Sequence, residues 1–311
     1  MSIGQREFAG KADIQAMVAL AHVAPTANAH VVDLPYRLSS WALDHADNAG
    51  LWVDAEGELL AWAVMQTPFW TIDYVCHPDA EKSLHRQILA WADRRALAVL
   101  GTTTGHRIWF VEVFARQVHR IRDLEAAGFA SQANAGRDSW SKVLLHRPAD
   151  MPVPGYSTPA GFTIRPLAGE DEVEACVQLH RAVFESKNMT VEWRRRTLHR
   201  PEYRAGLDLV IVAPDGRLAA FSVCWLDSGL EGKPSGQIEP LGVHRDYRGL
   251  GLGRAILSEG LRRLSLHGVE SVYVETDHHR SAALGLYEEL GFCLIHEILV
   301  YRKDYEPQGE S

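Results

Sequence analysis

The chain has 311 residues, 46% of them hydrophobic and 23% charged, with a formal net charge of -8 at pH 7. That length suits two ordinary domains, and that composition suits packed cores rather than disorder. The acidic balance argues against non-specific nucleic-acid binding, which rests on neutralising phosphates with basic side chains.

The opening MSIGQREFAG has no apolar signal core, and no apolar run is long enough to span a bilayer. Cys76, Cys176, Cys224 and Cys293 stand far apart, without metal-ligand spacing. A cytoplasmic, reduced, soluble protein with no membrane partner is expected. Residues 50–66 read as a hairpin turning at Asp54–Gly57. A strand is expected at residues 71–78, an amphipathic helix over Glu81–Ala96 and a strand over Ile108–Phe114. A helix follows over His119–Phe129, ending in Gly128-Phe129, and then a strand over Trp140–Leu145.

Between His146 and Phe162, four prolines and two glycines resist both helix and sheet. This reads as a linker, residues 148–160, between a first domain at 1–147 and a second at 161–311. The second half opens with a strand at Phe162–Leu167 and a helix at Asp171–Ser186. The run Trp193-Arg194-Arg195-Arg196 reads as a solvated helix face. Residues Asp208–Asp227 form two apolar runs around Pro214-Asp215-Gly216, a hairpin signal. A strand at Gly236–Val243 leads into the stretch HRDYRGLGLGRAIL, then a helix to about His267. A buried-type strand at Ser271–Asp277, a helix stopped by Gly291 and a strand at Cys293–Tyr305 close the chain. A mixed α/β sheet layered with helices is the expected fold. The segments LEAAGF (Leu124–Phe129) and YEELGF (Tyr287–Phe292) fall at the same place in the same element order, so two copies of one fold are inferred.

Gly249, Gly251 and Gly253 stand at alternate positions between a strand and a helix. A dinucleotide-binding G-x-G-x-x-G fails, because Arg254 or Ile256 occupies the last position. A phosphate loop of the G-K-[ST] type fails at Arg254-Ala255. The spacing R-x-x-G-x-G fits Arg248, Gly251 and Gly253. A helix start offers unpaired N–H groups and partial positive charge, and glycines let an anion approach them. Arg248 and Arg254 can add charge-assisted bonds. A tight turn that needs glycine only for its geometry is the competing reading.

With VETDHHRSAALGLYEELGF downstream, residues 162–305 resemble the GNAT superfamily of acyl-CoA-dependent N-acyltransferases. In that family a strand, an R/Q-x-x-G-x-G/A turn and a helix hold the coenzyme A pyrophosphate, and a helix of form A-x-x-L-Y-x-x-x-G-F completes the site. Ala283, Leu286, Tyr287, Gly291 and Phe292 match the second motif. The resemblance implies acetyl-CoA as co-substrate, held by Leu241, Gly242, Val243, Arg248, Gly249, Leu250, Gly251, Leu252, Gly253, Arg254, Arg280, Ala283 and Tyr287. Arg280 stands where the family commonly has Asn. The first half resembles a degenerate copy, since its counterpart of the glycine turn, HPDAEKSL (His77–Leu84), has no glycine. The whole chain resembles tandem GNAT proteins with one working cofactor site.

The implied reaction is direct attack of a primary amine on the thioester. Tyr287 is the candidate acid for the departing thiolate, and Glu239 the candidate base. Some members of the family carry their catalytic Glu at the position of Gln237, which shares a strand face with Glu239 by alternation. Backbone N–H groups around Leu241 to Val243 would stabilise the oxyanion, while Pro240 has none to give. His278 and His279 have no partner spacing for a metal, so no metal is expected. Trp225, Asp227 and the stretch Phe184–Arg196 are possible acceptor contacts. The acceptor is expected to be a small amine, on a monomer or homodimer. A protein N-acetyltransferase and a non-catalytic acyl-CoA sensor remain as alternatives.

Overall fold

The computed structural model describes residues 3–80, 82–133, 141–227 and 234–306. Glu81 and Trp140, at the starts of two predicted elements, lie outside these. The chain forms two compact units, Met1–Lys142 with His296–Ser311, and Val143–Ile295.

The first unit runs β1 (Gly4–Arg6), α1 (Lys11–Val23), α2 (Leu34–Arg37), β2 (Ala49–Val53), β3 (Leu59–Gln66), β4 (Thr71–Cys76), α3 (Ser83–Val99), β5 (Ile108–Phe114), α4 (Val118–Ala126) and β6 (Ala130–Ser131). Strands β1 to β4 form an antiparallel meander, and β4 meets β5 in parallel at Thr71↔Phe110. Two apolar clusters pack this sheet. One joins Ile88, Trp91 and Ala92 of α3 to Trp109, Val111 and Val113 of β5. The other seats Met17 and Ala21 of α1 against Trp62 and Val64 of β3.

The second unit holds β7 (Ser141–Pro148) for most of its length. It continues with β8 (Thr163–Pro166), α5 (Val173–Phe184), α6 (Val191–Leu198), β9 (Asp208–Val212), β10 (Leu218–Asp227) and β11 (Ser235–Val243). Then come α7 (Leu252–Ser265), β12 (Ser271–Asp277) and α8 (Ser281–Glu289), while the closing β13 (Cys293–Asp304) belongs from His296 onward to the first unit. Its strands lie in the order β7-β12-β11-β10-β9-β8. Ile238, Leu257, Leu261, Leu264, Val272, Val274 and Phe292 form its central cluster.

The unit boundaries differ from the expected 1–147 and 161–311. The closing strands decide this. From Ile298 to Asp304, β13 pairs antiparallel with β5 of the first unit, Ile298↔Phe114 through Asp304↔Ile108. Strand β7 instead lies beside β12, and the Ala149 N–H donates to the Glu270 carbonyl at 3.0 Å. Each half of the sequence thus lends its last strand to the other unit.

The expected linker is built into the second unit. The buried Arg147 guanidinium donates to the carbonyls of Leu290, Pro148, Met151 and Pro152 at 2.7 to 3.1 Å. Such a fan satisfies carbonyls that a proline-rich stretch cannot pair in a ladder. Further on, the Tyr156 hydroxyl donates to Glu259 at 2.7 Å. Glu259 also accepts from Arg262 and Arg263, and these bonds hold its carboxyl down to about 2.

The arginine run on α6 is not wholly solvated, as its charge suggested. Trp193 and Arg194 are buried, and Arg194 pairs with buried Asp208. The Tyr203 hydroxyl donates to the same carboxylate at 2.7 Å. Arg195 and Arg196 keep the exposed face, paired to Glu170 and Glu192. Helical spacing puts neighbours on different faces, so a run of like residues says little about which one turns inward.

On α5, His180 packs against the rings of Phe184 and Phe221. Burial, with the charges of Arg194 and Arg181, pushes its pKa from 6.5 down to about 3. The unfolded chain takes up this proton near 6.5 and the folded chain far lower, so stability falls as pH drops below 6.5. The expected loss from this group is about 2 kcal/mol at about pH 5. Thermal melting of His180→Phe across that range should show a correspondingly shallower slope; an unchanged slope would assign the acid sensitivity elsewhere.

Candidate functional site

The second unit has a notch in its sheet. Strands β11 and β12 pair in parallel only at Ser235↔Ser271, Gly236↔Val272 and Gln237↔Tyr273. Both run on, to Val243 and Asp277, without further pairing to each other among the described residues. On its other edge β11 stays paired with β10 through Ala220↔Val243. Register slips between Ser222 and Cys224, opposite the stretch that holds Glu239 and Pro240. The Trp225 indole N–H donates to the Glu239 carbonyl at 2.7 Å there. Trp225, expected to face the cleft, is therefore a buried brace for the strand.

The edge of β11 from Ile238 to Val243 thus offers backbone groups that β12 does not use. An extended amide-bearing chain can add to such an edge as a strand does. Leu241 and Val243 turn their side chains into the cluster with Leu252 and Ile256 of α7. Gly242 faces the other way, where a Cβ would come 2.4 Å from Val183 Cγ1 of α5 and 3.0 Å from Phe221. Glycine is required there for packing.

Eight residues, with a 3-10 turn at Arg245–Tyr247, lead from β11 to the start of α7. Gly249 and Gly251 both have positive φ, +79° and +76°, and Gly251 is the N-cap. Left-handed backbone favours glycine at both positions. Gly253, in contrast, is helical; a Cβ there would meet Leu286 Cδ2 at 3.4 Å and Val243 Cγ2 at 3.6 Å. The three glycines therefore have two tasks. Gly249 and Gly251 make the turn, and Gly253 keeps the first helical turn bare. No side chain caps this helix end, and the first backbone bond closing onto the cap is Ala255 N–H to the Gly251 carbonyl. The N–H groups ahead of it are the kind that bind anions.

Leu252 anchors the turn in the core, while Leu250 is exposed. Arg248 is exposed and its Nε donates to the Val243 carbonyl at 3.3 Å. Arg254 donates to Glu289 at 2.9 Å, tying α7 to α8.

On α8, Tyr287 is buried with its ring edge-on to Phe292 at 5.8 Å. Burial pushes its phenol well above the ordinary range; the Glu239 charge adds to this and Arg280 opposes it. The Tyr287 phenol thus senses the charges of both Glu239 and Arg280. Arg280 is exposed and pairs with Asp277 at 2.8 Å. Ala283 lies one turn before Tyr287, partly buried against the central cluster. His278 and His279 lie in the exposed turn before α8. In the stretch 184–196, Met189 and Trp193 are buried and the Met189 carbonyl accepts from Arg181 at 2.7 Å, so much of it is packing.

The first unit repeats this order as β4-α3-β5-α4, and the ends of α4 and α8 close alike. Gly128 and Gly291 share a φ of +86°, and Phe129 and Phe292 donate to the Leu124 and Tyr287 carbonyls, each at 3.0 Å. That is the Schellman closure, with glycine in the left-handed position. The correspondence sets Leu124 where Tyr287 stands and Arg120 where Ala283 stands.

The difference matters beside β4, which among the described residues pairs with β5 only at Thr71↔Phe110. Arg120 lies over the Tyr74 ring at 3.7 Å and donates to the Tyr74 carbonyl on β4 at 3.1 Å. A cavity of about 30 Å³ remains beside Asp73, Glu112 and Arg120, room for a water and little more. Sequence reasoning missed Arg120. Its signal was the shared four-residue spacing to Leu124 and Tyr287.

Comparison with known proteins agrees with this geometry. Residues 173–292 match the model of the acetyltransferase (GNAT) family. A mycothiol acetyltransferase of Thermobispora bispora is 29% identical over 183 residues, 57% of this chain and 60% of that protein. One from Kineococcus radiotolerans is 36% identical over 176 residues, 52% of this chain and 54% of that protein. The chain thus matches little more than half the length of these relatives. A GCN5-related N-acetyltransferase structure from Sphaerobacter thermophilus superposes with a TM-score of 0.65 at 21% identity, covering 99% of this chain and 98% of that one. A tandem GNAT protein from the clavulanic acid biosynthesis pathway gives 0.65 at 15% identity, covering 99% and 100%. The fold of the whole chain is the one these two structures share, and residues 173–292, within its second unit, are the part that matches the acetyltransferase (GNAT) family.

Proposed function

We propose that the second unit transfers the acetyl group of acetyl-CoA to the primary amine of a small molecule by direct attack. The observation that carries this is the open edge of β11 followed, after a short turn, by an uncapped helix start. One feature suits an extended amide arm and the next suits its diphosphate. The names of the matched relatives support a small-molecule acceptor.

In this reading the N–H groups of Leu252, Gly253 and Arg254 hold the diphosphate, with Arg248 adding charge from the turn. The free edge around Leu241–Val243 receives the arm, and Arg280 and Ala283 flank it. Bound acetyl-CoA supplies an activated acyl group. Glu239 takes the proton from the attacking amine. Tyr287 keeps its proton through neutral pH, because burial disfavours the phenolate, and holds it for the departing sulfur.

The first unit takes no coenzyme A in this reading. Its α3 starts without glycine, Arg120 occupies the β4 carbonyl, and Leu124 offers no hydroxyl. Titration calorimetry with coenzyme A should therefore give one site per chain. Two equal sites would refute the assignment of the first unit.

The test of the activity is thioester turnover on a panel of small amines, with coenzyme A binding measured in parallel. Turnover on amines supports the reading. Tight binding with no turnover on amines or peptides contradicts it.

A further inference from the structure

Gln237 occupies the last paired position of β11 against β12, opposite Tyr273, and faces Trp225 of β10 in register. Its neighbours Gly236 and Ile238 point to α7, toward Leu264 and Gly260. Alternation along the strand turns Gln237 to the opposite face. The residue is 3% exposed, and its Nε2 has no hydrogen-bond partner among the described residues.

A buried amide donor without an acceptor forfeits its hydration and gains nothing in return. Folded proteins keep few such groups, and those they keep call for a reason. This one lies where β11 and β12 begin to part, two residues before Glu239. A carboxamide neither gains nor loses a net proton at ordinary pH, so Gln237 is a neutral donor and not a base.

Resting on the acetyl-transfer reading above, we propose that Gln237 recognises the acceptor, its Nε2 donating to an oxygen of the incoming molecule close to the reacting amine. The contact holds the amine nitrogen beside Glu239. It narrows the substrate class to amines with an oxygen function near the nitrogen, such as amino sugars and amino alcohols, over plain alkylamines. A site built around a buried donor discriminates against a ligand that leaves the donor unpaired.

The test compares Gln237→Leu with the unmodified chain, using D-glucosamine and cyclohexylamine as probes at saturating acetyl-CoA. The variant should melt at the same temperature or higher, because leucine removes an unsatisfied amide. Its KM for D-glucosamine should rise about tenfold, the loss of one buried hydrogen bond. The KM for acetyl-CoA and the rate with cyclohexylamine should stay the same, and the ratio to the unmodified chain should hold at every pH. Glu239→Gln, by contrast, should change the pH profile. A lower melting temperature with an unmoved KM makes the amide structural and overturns the proposal, as does an equal loss on both amines. Should the unmodified chain acetylate neither probe, that failure belongs to the acetyl-transfer reading. The melting comparison then decides alone: a fall overturns the reserved donor, and an equal or higher value upholds it.

Discussion

Replacing Gly251 and Gly253 together by valine is expected to weaken coenzyme A binding about a hundredfold. The two substitutions act differently. Gly251 sits at φ +76°, so a branched side chain there strains the turn that aims the helix start. Left-handed backbone costs about 1–2 kcal/mol for an ordinary residue. At Gly253 the backbone is helical, and a Cβ meets Leu286 and Val243 only at 3.4 and 3.6 Å. The valine methyls would instead stand over the N–H groups of the first turn. Losing two charge-assisted bonds to the diphosphate amounts to about 3 kcal/mol, which is about two decades in affinity. Gly253→Val alone should keep its melting temperature while losing affinity, which separates the anion contact from stability. Affinity unchanged in both single variants would place the diphosphate elsewhere.

Tyr287→Phe is expected to lower turnover by about a hundredfold or more, the usual scale for a lost general acid. The ring remains, with its edge contact to Phe292, so fold and coenzyme A affinity should be retained. The raised phenol adds a second expectation. Burial and the Glu239 charge both disfavour the phenolate, so Tyr287 should impose no fall in rate on the alkaline side until well past the ordinary phenol value of 10.0. Titration of the wild-type rate against pH, beside the affinity and turnover of the variant, checks both. Turnover that survives in Tyr287→Phe removes the residue from the chemistry.

Most of the site was legible because its elements are local. The strand, glycine turn and helix of HRDYRGLGLGRAIL and the helix ending in YEELGF follow from backbone chemistry within short windows. The repeat was legible for the same reason, since LEAAGF and YEELGF dictate one helix closure. The exchange of β7 and β13 was not, because strand text is silent about which neighbour it will pair with. Nor was α1, Lys11–Val23, foreseen. Its apolar face is built from Ile14, Met17, Val18 and Ala21, but its start has no side-chain cap to mark it. The backbone adds detail to the glycine turn. Spacing singled out Gly251 and Gly253, whereas the backbone pairs Gly249 with Gly251 and leaves Gly253 as the bare position. Arg120, Arg147 and Arg194 show a common limit. Each is a charged residue, Arg147 and Arg194 buried and Arg120 half-buried, whose partners are carbonyls or a carboxylate brought in by folding, so no local pattern announces its placement.

The measurement that bears most directly on acetyl transfer by the second unit is mass spectrometry of small molecules after incubating the full chain with acetyl-CoA and a metabolite extract. The expected result is an amine heavier by one acetyl group. It should be formed by the unmodified chain and by Arg120→Ala in the first unit, and nearly absent with Tyr287→Phe or Gly253→Val. No acetylated small molecule, with coenzyme A still bound one per chain, would contradict it.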